Sequence, residues 1–189
     1  MHASEHLGSP ALRVARAIED ESGLDRIVDQ VVPKVRSRLD AWPGVAAVLH
    51  GRPLGHALHP LMTDIPMGAW ISATLLDLTG GQQAHRSADK LIGWGVVAAV
   101  PTIVTGVADW ARSDRPARRV GLVHAAANDA ALVLYAGSWL LRRRGRRRAG
   151  VAASLAAGAL LGVGGYLGGH LSTRLGAPPN ELSGPPRAH

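Results

Sequence analysis

Side chains able to do acid–base or ligand chemistry recur in four short blocks. The first holds His56, His59 and Asp64, the second Asp109, the third His124, Asn128 and Asp129, and the fourth Tyr166 and His170. A neutral imidazole can ligate haem iron, zinc or copper through one ring nitrogen, while a carboxylate at the other nitrogen fixes the tautomer. On that chemistry His59, His124 and His170 are candidate ligands for haem b or a divalent metal, with His56 as an alternative. Asp64, Asp109, Asn128, Asp129 and Tyr166 are candidates to orient them from behind. Buried Asp/His pairs also serve as proton relays. The same groups can equally do no more than bond neighbouring helices together, with Arg118 or Arg119 as counter-ions. His50 reads as a loop residue, and His2, His6, His85 and His189 as solvated surface.

For those blocks to meet, the chain must bring them to one level, and its charge distribution says how. The 189 residues are 47% hydrophobic and 19% charged with a net charge of +7. Those bulk figures are close to those of a soluble domain, but the charges are gathered before residue 60 and in three short patches. Four long apolar segments remain, at about 60–79, 91–110, 120–141 and 151–171. Each approaches the roughly 20 residues a helix needs to cross about 30 Å of hydrocarbon. Residues 91–108 and 151–169 contain no charge at all, and a soluble bundle helix would show a polar stripe. Four alternating crossings place the start of the first, the end of the second, the start of the third and the end of the fourth on one face. All four blocks then fall in one layer. An ionisable group inside a crossing costs about 2.5–3.5 kcal/mol on insertion scales, so the layer is expected to be paired, wet or used.

Local patterning adds detail. His124, Asn128, Ala131, Tyr135 and Ser138 share one helical face that should look into the bundle, with Leu122, Leu132 and Leu140 looking elsewhere. Pro66 cannot donate to the carbonyl of Met62, and Pro101 cannot donate to that of Val97, so each frees an acceptor inside a helix. Gly158 and Gly162 form a GxxxG spacing, repeated by Gly164/Gly168 and Gly165/Gly169, which permits close helix approach in lipid. Trp110 and Trp139 sit at segment ends as interfacial anchors do.

Ahead of the apolar region, residues 1–40 are charged and lack the apolar core of a signal peptide. Ser9 and Pro10 read as N-cap and first residue of a helix running to about Ser22, stopped by Gly23. A second amphipathic helix presents Leu24, Ile27, Val28, Val31, Val35 and Leu39, with a kink at Pro33. It either lies on the bilayer or caps the rest. Residues 41–55 read as a loop or short re-entrant stretch. The expected architecture is all-α: a polytopic membrane protein with a four-transmembrane-helix up-down bundle preceded by two amphipathic helices. Its divisions are an N-terminal region at 1–52, the bundle at 53–175 and a disordered Pro-rich tail at 176–189.

Composition also excludes. With no Cys, disulfides, thiolate metal sites, Cys nucleophiles and self-contained iron–sulfur clusters are ruled out. Arg outnumbers Lys 19 to 2, and six Arg lie between 142 and 148. That run is clamped between apolar segments, where topogenic charge belongs, rather than on a nucleic-acid-binding surface. Eight basic residues on the loops of one face against six near the crossings on the other set no orientation.

The run Leu49-His-Gly-Arg-Pro-Leu-Gly-His-Ala-Leu-His-Pro-Leu-Met-Thr-Asp-Ile-Pro-Met-Gly-Ala-Trp70 resembles the opening of the DUF2231 family of uncharacterised bacterial integral membrane proteins. Thr105-Gly-Val-Ala-Asp-Trp110, Gly121-Leu-Val-His-Ala-Ala-Ala-Asn-Asp129 and Gly164-Gly-Tyr-Leu-Gly-Gly-His170 carry the same resemblance, over about 45–173. One small departure is Ala57, where Pro often stands in the His-x-x-His-Pro motif. Some similar proteins look fused to a Rieske-type iron–sulfur domain, which implies a redox setting and a Rieske-type or other redox partner. The reading is a non-enzymatic, redox-associated membrane module whose His/Asp layer holds haem or a metal ion. The alternatives are a structural or partner-binding membrane protein whose polar layer is only a hydrogen-bond network, and a small proton-coupled carrier. The carrier is disfavoured because no inverted repeat relates the two pairs of crossings.

Overall fold

The computed structural model describes residues 9–178, and within them all regular structure is helical. The expectations for His2, His6 and His189, and for most of the tail, lie outside the described residues. Seven α-helices follow in order: α1 Pro10–Asp20, α2 Asp25–Ala41, α3 Pro43–Leu49, α4 Leu58–Thr79, α5 Gly81–Arg112, α6 Arg115–Arg143 and α7 Arg147–Thr173. Three of them, α5, α6 and α7, are long and apolar enough to cross a membrane. The chain is an all-α, multi-pass membrane protein. The fourth expected crossing, α4, is a 22-residue helix that carries Asp64, Asp77, Pro60 and Pro66 and is not among those three. What looked like charged loops at 80–90 and 111–119 are mostly extra helical turns that carry α5 and α6 past their apolar stretches.

Cross-helix bonds set the register. Trp70 Nε1 donates to Ile92 O at 3.3 Å, and Thr102 Oγ1 donates to Met62 O at 3.0 Å, so α4 and α5 run antiparallel. The second bond satisfies the carbonyl that Pro66 leaves without a helical donor. His124 against Gly164 and Ser138 against Gly150 give α6 and α7 the same relation. The core where the four long helices meet is Trp70, Ala73, Ala88, Ile92, Ala99, Ala131, Tyr135 and Ala157. Trp70 of α4 and Tyr135 of α6 stack across it, centroids 4.0 Å apart. The α6 face expected to look inward does so, with Ala131, Tyr135 and Ser138 buried and Leu140 exposed.

Glycine spacing proves to be about receiving side chains. A Cβ on Gly164 would overlap the Asn128 amide, one on Gly168 would come within 3.0 Å of the His124 ring, and one on Gly95 would overlap the Trp70 indole. Gly162, Gly165 and Gly169 face open space instead.

The N-terminal helices cap one end of the bundle. Ser9 Oγ accepts from Leu12 N at 3.3 Å, starting α1 where expected. Ala15 of α1 is buried with Val120 and Leu167, ringed by Ile18, Val123, Leu171 and Leu175. The inward face of α2 is Val28 and Val32, whereas Ile27 and Val31 are exposed, so the amphipathic face is rotated from the expected one. Part of the expected loop at 41–55 is α3 and a 3₁₀ turn, Arg52–Leu54. Arg36 Nε donates at 2.8 Å to Ala111 O, a carbonyl in the last turn of α5, and Arg119 grips Asp25 at 2.6 and 2.8 Å. Arg115 reaches Asp25 and Asp29 at 3.1 and 3.2 Å. The hydrogen bond from Arg119 leads in holding the Asp25 carboxyl down to about 2. A carboxylate depressed from about 3.9 when unfolded contributes stability above that value and loses it as pH falls toward 2. Cap docking, followed by hydrogen exchange of α1 and α2, should weaken between pH 4 and 2, and Asp25→Asn should remove that dependence. An unchanged acid profile in Asp25→Asn would place the dependence elsewhere.

Candidate functional site

The histidines do not converge on one point. His59, on the first turn of α4, donates from Nδ1 to Thr102 O at 3.0 Å, with Thr105 Oγ1 3.4 Å away. His124 of α6 donates from Nδ1 to Gly164 O at 2.8 Å. A carbonyl can only accept, so Nδ1 carries the proton in both rings. His124 Nε2 then accepts from Asn128 Nδ2 at 3.1 Å. These two rings are within electrostatic reach of each other.

Two further pairs lie where the bundle meets the cap. His170 Nε2 donates to Glu19 Oε1 of α1 at 2.6 Å. His50, at the end of α3, donates from Nδ1 to Asp109 Oδ1 of α5 at 2.9 Å, both side chains nearly buried. Asp109 Oδ2 has no hydrogen-bond partner among the described residues. The His124 ring lies against Gly168, two residues before His170, and the His59 ring against Gly106, three residues before Asp109, so direction and partner, rather than depth, set these pairs apart.

Those separate partners overturn the metal and haem reading. Zinc needs each nitrogen at about 2.0–2.1 Å from one point. Among the described residues no group of three or more His, Cys, Asp or Glu could hold a metal ion. His59, His124 and His170 are each turned toward a different helix. His56 is exposed in the loop before α4, and Asp64, Asp129 and Tyr166 are exposed on the outer surface rather than standing behind the rings. Of the residues expected to orient the ligands, Asn128 contacts His124 and Asp109 contacts His50. Haem b or a divalent metal as cofactor, and the redox module built on it, are therefore corrected to a set of pairwise interhelical bonds. His50 joins that set despite its loop position in the sequence, and His85 is half-buried in the first turns of α5. Arg119 serves as counter-ion to Asp25, outside the layer.

The most concentrated polar cluster sits at the opposite end, where the sequence places most of the charged groups in loops. Arg142 of α6 has a side-chain exposure of 0% and Asp77 of α4 one of 1%. Arg142 bonds Asp77 at 2.5 and 2.9 Å and Asp89 of α5 at 3.0 Å. Arg147 of α7 bonds Asp77 at 2.5 Å and Asp89 at 2.8 Å. Arg142 also donates to Ser138 Oγ and to Ser154 Oγ, both at 3.0 Å, and Ser138 in turn donates to Gly150 O at 2.6 Å. All four long helices contribute. Two guanidiniums sharing two carboxylates, with hydroxyls taking spare donors, is the condition under which buried charge is tolerated. Sequence signal existed: Asp77 is a lone carboxylate near the end of an apolar segment, and Arg142 falls one turn after Ser138 on the inward strip.

A family model described as "Predicted membrane protein (DUF2231)" matches residues 55–178. No curated protein and no solved structure matches the chain.

Proposed function

Starting from the fact that the chain belongs to the DUF2231 family of membrane proteins, we propose that it is a structural or partner-binding membrane protein without enzymatic activity, whose polar layer is a hydrogen-bond network. Its ionisable groups hold a capped bundle together. The observation that carries this is that every bonded histidine, and the Arg142–Asp77 cluster, engages a helix other than its own. In this reading α4 crosses the membrane beside α5, making four crossings in the bundle at 53–175. Residues 9–52 close one end. The proposal leaves out the Rieske-type partner implied by the resemblance, because it rests on contacts within the chain.

Two measurements test it. Protein purified in mild detergent should show no visible absorption band and no stoichiometric metal, while His59→Ala, His124→Ala and His170→Ala should each lower unfolding stability by about 1–3 kcal/mol, the cost of leaving a buried partner unsatisfied. A band or a bound metal lost in those variants would overturn the proposal. Since the sequence has no Cys, His56→Cys before α4 and Gln82→Cys at the start of α5, both exposed positions, give clean labelling sites. If α4 crosses, an impermeant thiol reagent labels them from opposite sides of the membrane.

A further inference from the structure

At the cap, Arg115 and Arg119 are matched by Asp25 and Asp29, while Arg13, Arg16, Arg26 and Arg38 are exposed. At the other end Asp77 and Asp89 are the carboxylates in 77–90 and 139–150, and both are held by Arg142 and Arg147. Arg86, Lys90, Arg144, Arg146 and Arg148 are exposed there, without a carboxylate partner among the described residues. Arg143 lies over the Trp139 ring at 4.8 Å, and Trp94 is 68% exposed. Exposed indoles beside cations mark the headgroup level of a bilayer.

Directly inward from this rim, α4 and α7 part. Met67, Ile71 and Leu75 of α4 and Gly158, Gly162 and Gly165 of α7 line a groove of about 370 Å³, floored by Tyr135. Ile71 and Leu75 are more than half exposed, so the groove opens sideways. From Met67 to Leu75 it runs about 12 Å along α4. Leu75 is two residues from Asp77, which Arg147 bonds, so the groove begins within a turn of the rim.

We propose that this seam binds an anionic phospholipid, with its phosphate on Arg144, Arg146 and Arg148 and one acyl chain in the α4–α7 groove. Charge selects this occupant: an apolar groove alone would take any chain, but exposed guanidiniums on the α6–α7 turn and the first turn of α7, flanking the Arg147 that bonds Asp77, favour a phosphate carrying net negative charge. The inference rests on α4 lying in the membrane, which the His56→Cys and Gln82→Cys labelling reads separately.

The test is native mass spectrometry of the purified full chain, offered phosphatidylglycerol and phosphatidylcholine of equal chain length. Phosphatidylglycerol should be retained preferentially. The triple variant Arg144→Gln, Arg146→Gln, Arg148→Gln should lower that preference roughly tenfold or more, with unfolding in phosphatidylcholine unchanged. Gly162→Leu fills open space and should weaken retention of both lipids while keeping the preference. Equal retention of the two headgroups overturns the proposal, as does a preference that survives the triple variant. Displacement by inorganic phosphate alone with no effect of Gly162→Leu would reduce the site to a surface anion patch and overturn it too. A Gly162→Leu variant that changes oligomeric mass but not lipid retention would make the groove a contact between copies, which equally overturns lipid binding there.

Discussion

Asp77→Asn should lower the unfolding free energy in detergent by about 3–5 kcal/mol, the usual cost of removing one partner from a buried charge pair. Asp77 is bonded by both Arg142 and Arg147. Without its charge, two guanidiniums would share Asp89 alone, one of them on a side chain with no exposure. Because four helices meet at this cluster, the loss should appear in the cooperative unfolding transition rather than as local fraying. Arg142→Met in the same background should cost less than it does alone, since the uncompensated cation has gone; a double-mutant cycle measures this coupling. A cost for Asp77→Asn below about 1 kcal/mol, the range of surface pairs, would show that the cluster is hydrated and does not hold the bundle.

The second large effect is expected at the opposite kind of contact. Trp70→Ala should destabilise by about 3–5 kcal/mol, as for other large-to-small core substitutions. It deletes the stack on Tyr135, the hydrogen bond to Ile92 O and the filling of the notch at Gly95. Gly95→Ala attacks the same fit from the other side, because its Cβ would overlap the indole, and should cost about 1–3 kcal/mol. Combining it with Trp70→Ala should add little, since the overlap no longer exists. Denaturant titration of the two single variants and the double variant distinguishes this notch from a glycine needed for backbone reasons, where the two costs would simply add.

Much of the helical frame was readable along the chain. The charge-free stretches at 91–108 and 151–169 needed a helix to satisfy their backbone in lipid, and α5 and α7 contain them. Ser9 as a cap, the inward strip of α6 and the acceptor freed by Pro66 followed from local geometry. The site was read less well. Sequence order and alternating direction placed His59, His124 and His170 toward the same end, but each ring bonds a different helix. Facing different partners is what separates independent hydrogen bonds from a ligand set.

By itself the sequence determined that the chain is helical, that it lives in a membrane, and which face of α6 turns inward, because each depends on spacing and composition along one segment. Only the tertiary structure decided which partner each polar group meets. Helix rotation and stagger are set by how Trp70, Tyr135, Asn128 and His124 seat against Gly95, Gly158, Gly164 and Gly168, contacts made between segments far apart in the chain. A shift of one or two turns leaves the sequence pattern intact yet moves a side chain by about 5–10 Å. That is why the expected His/Asp layer resolved into separate interhelical pairs, while Asp77 and Arg142, which looked peripheral, became the buried polar centre.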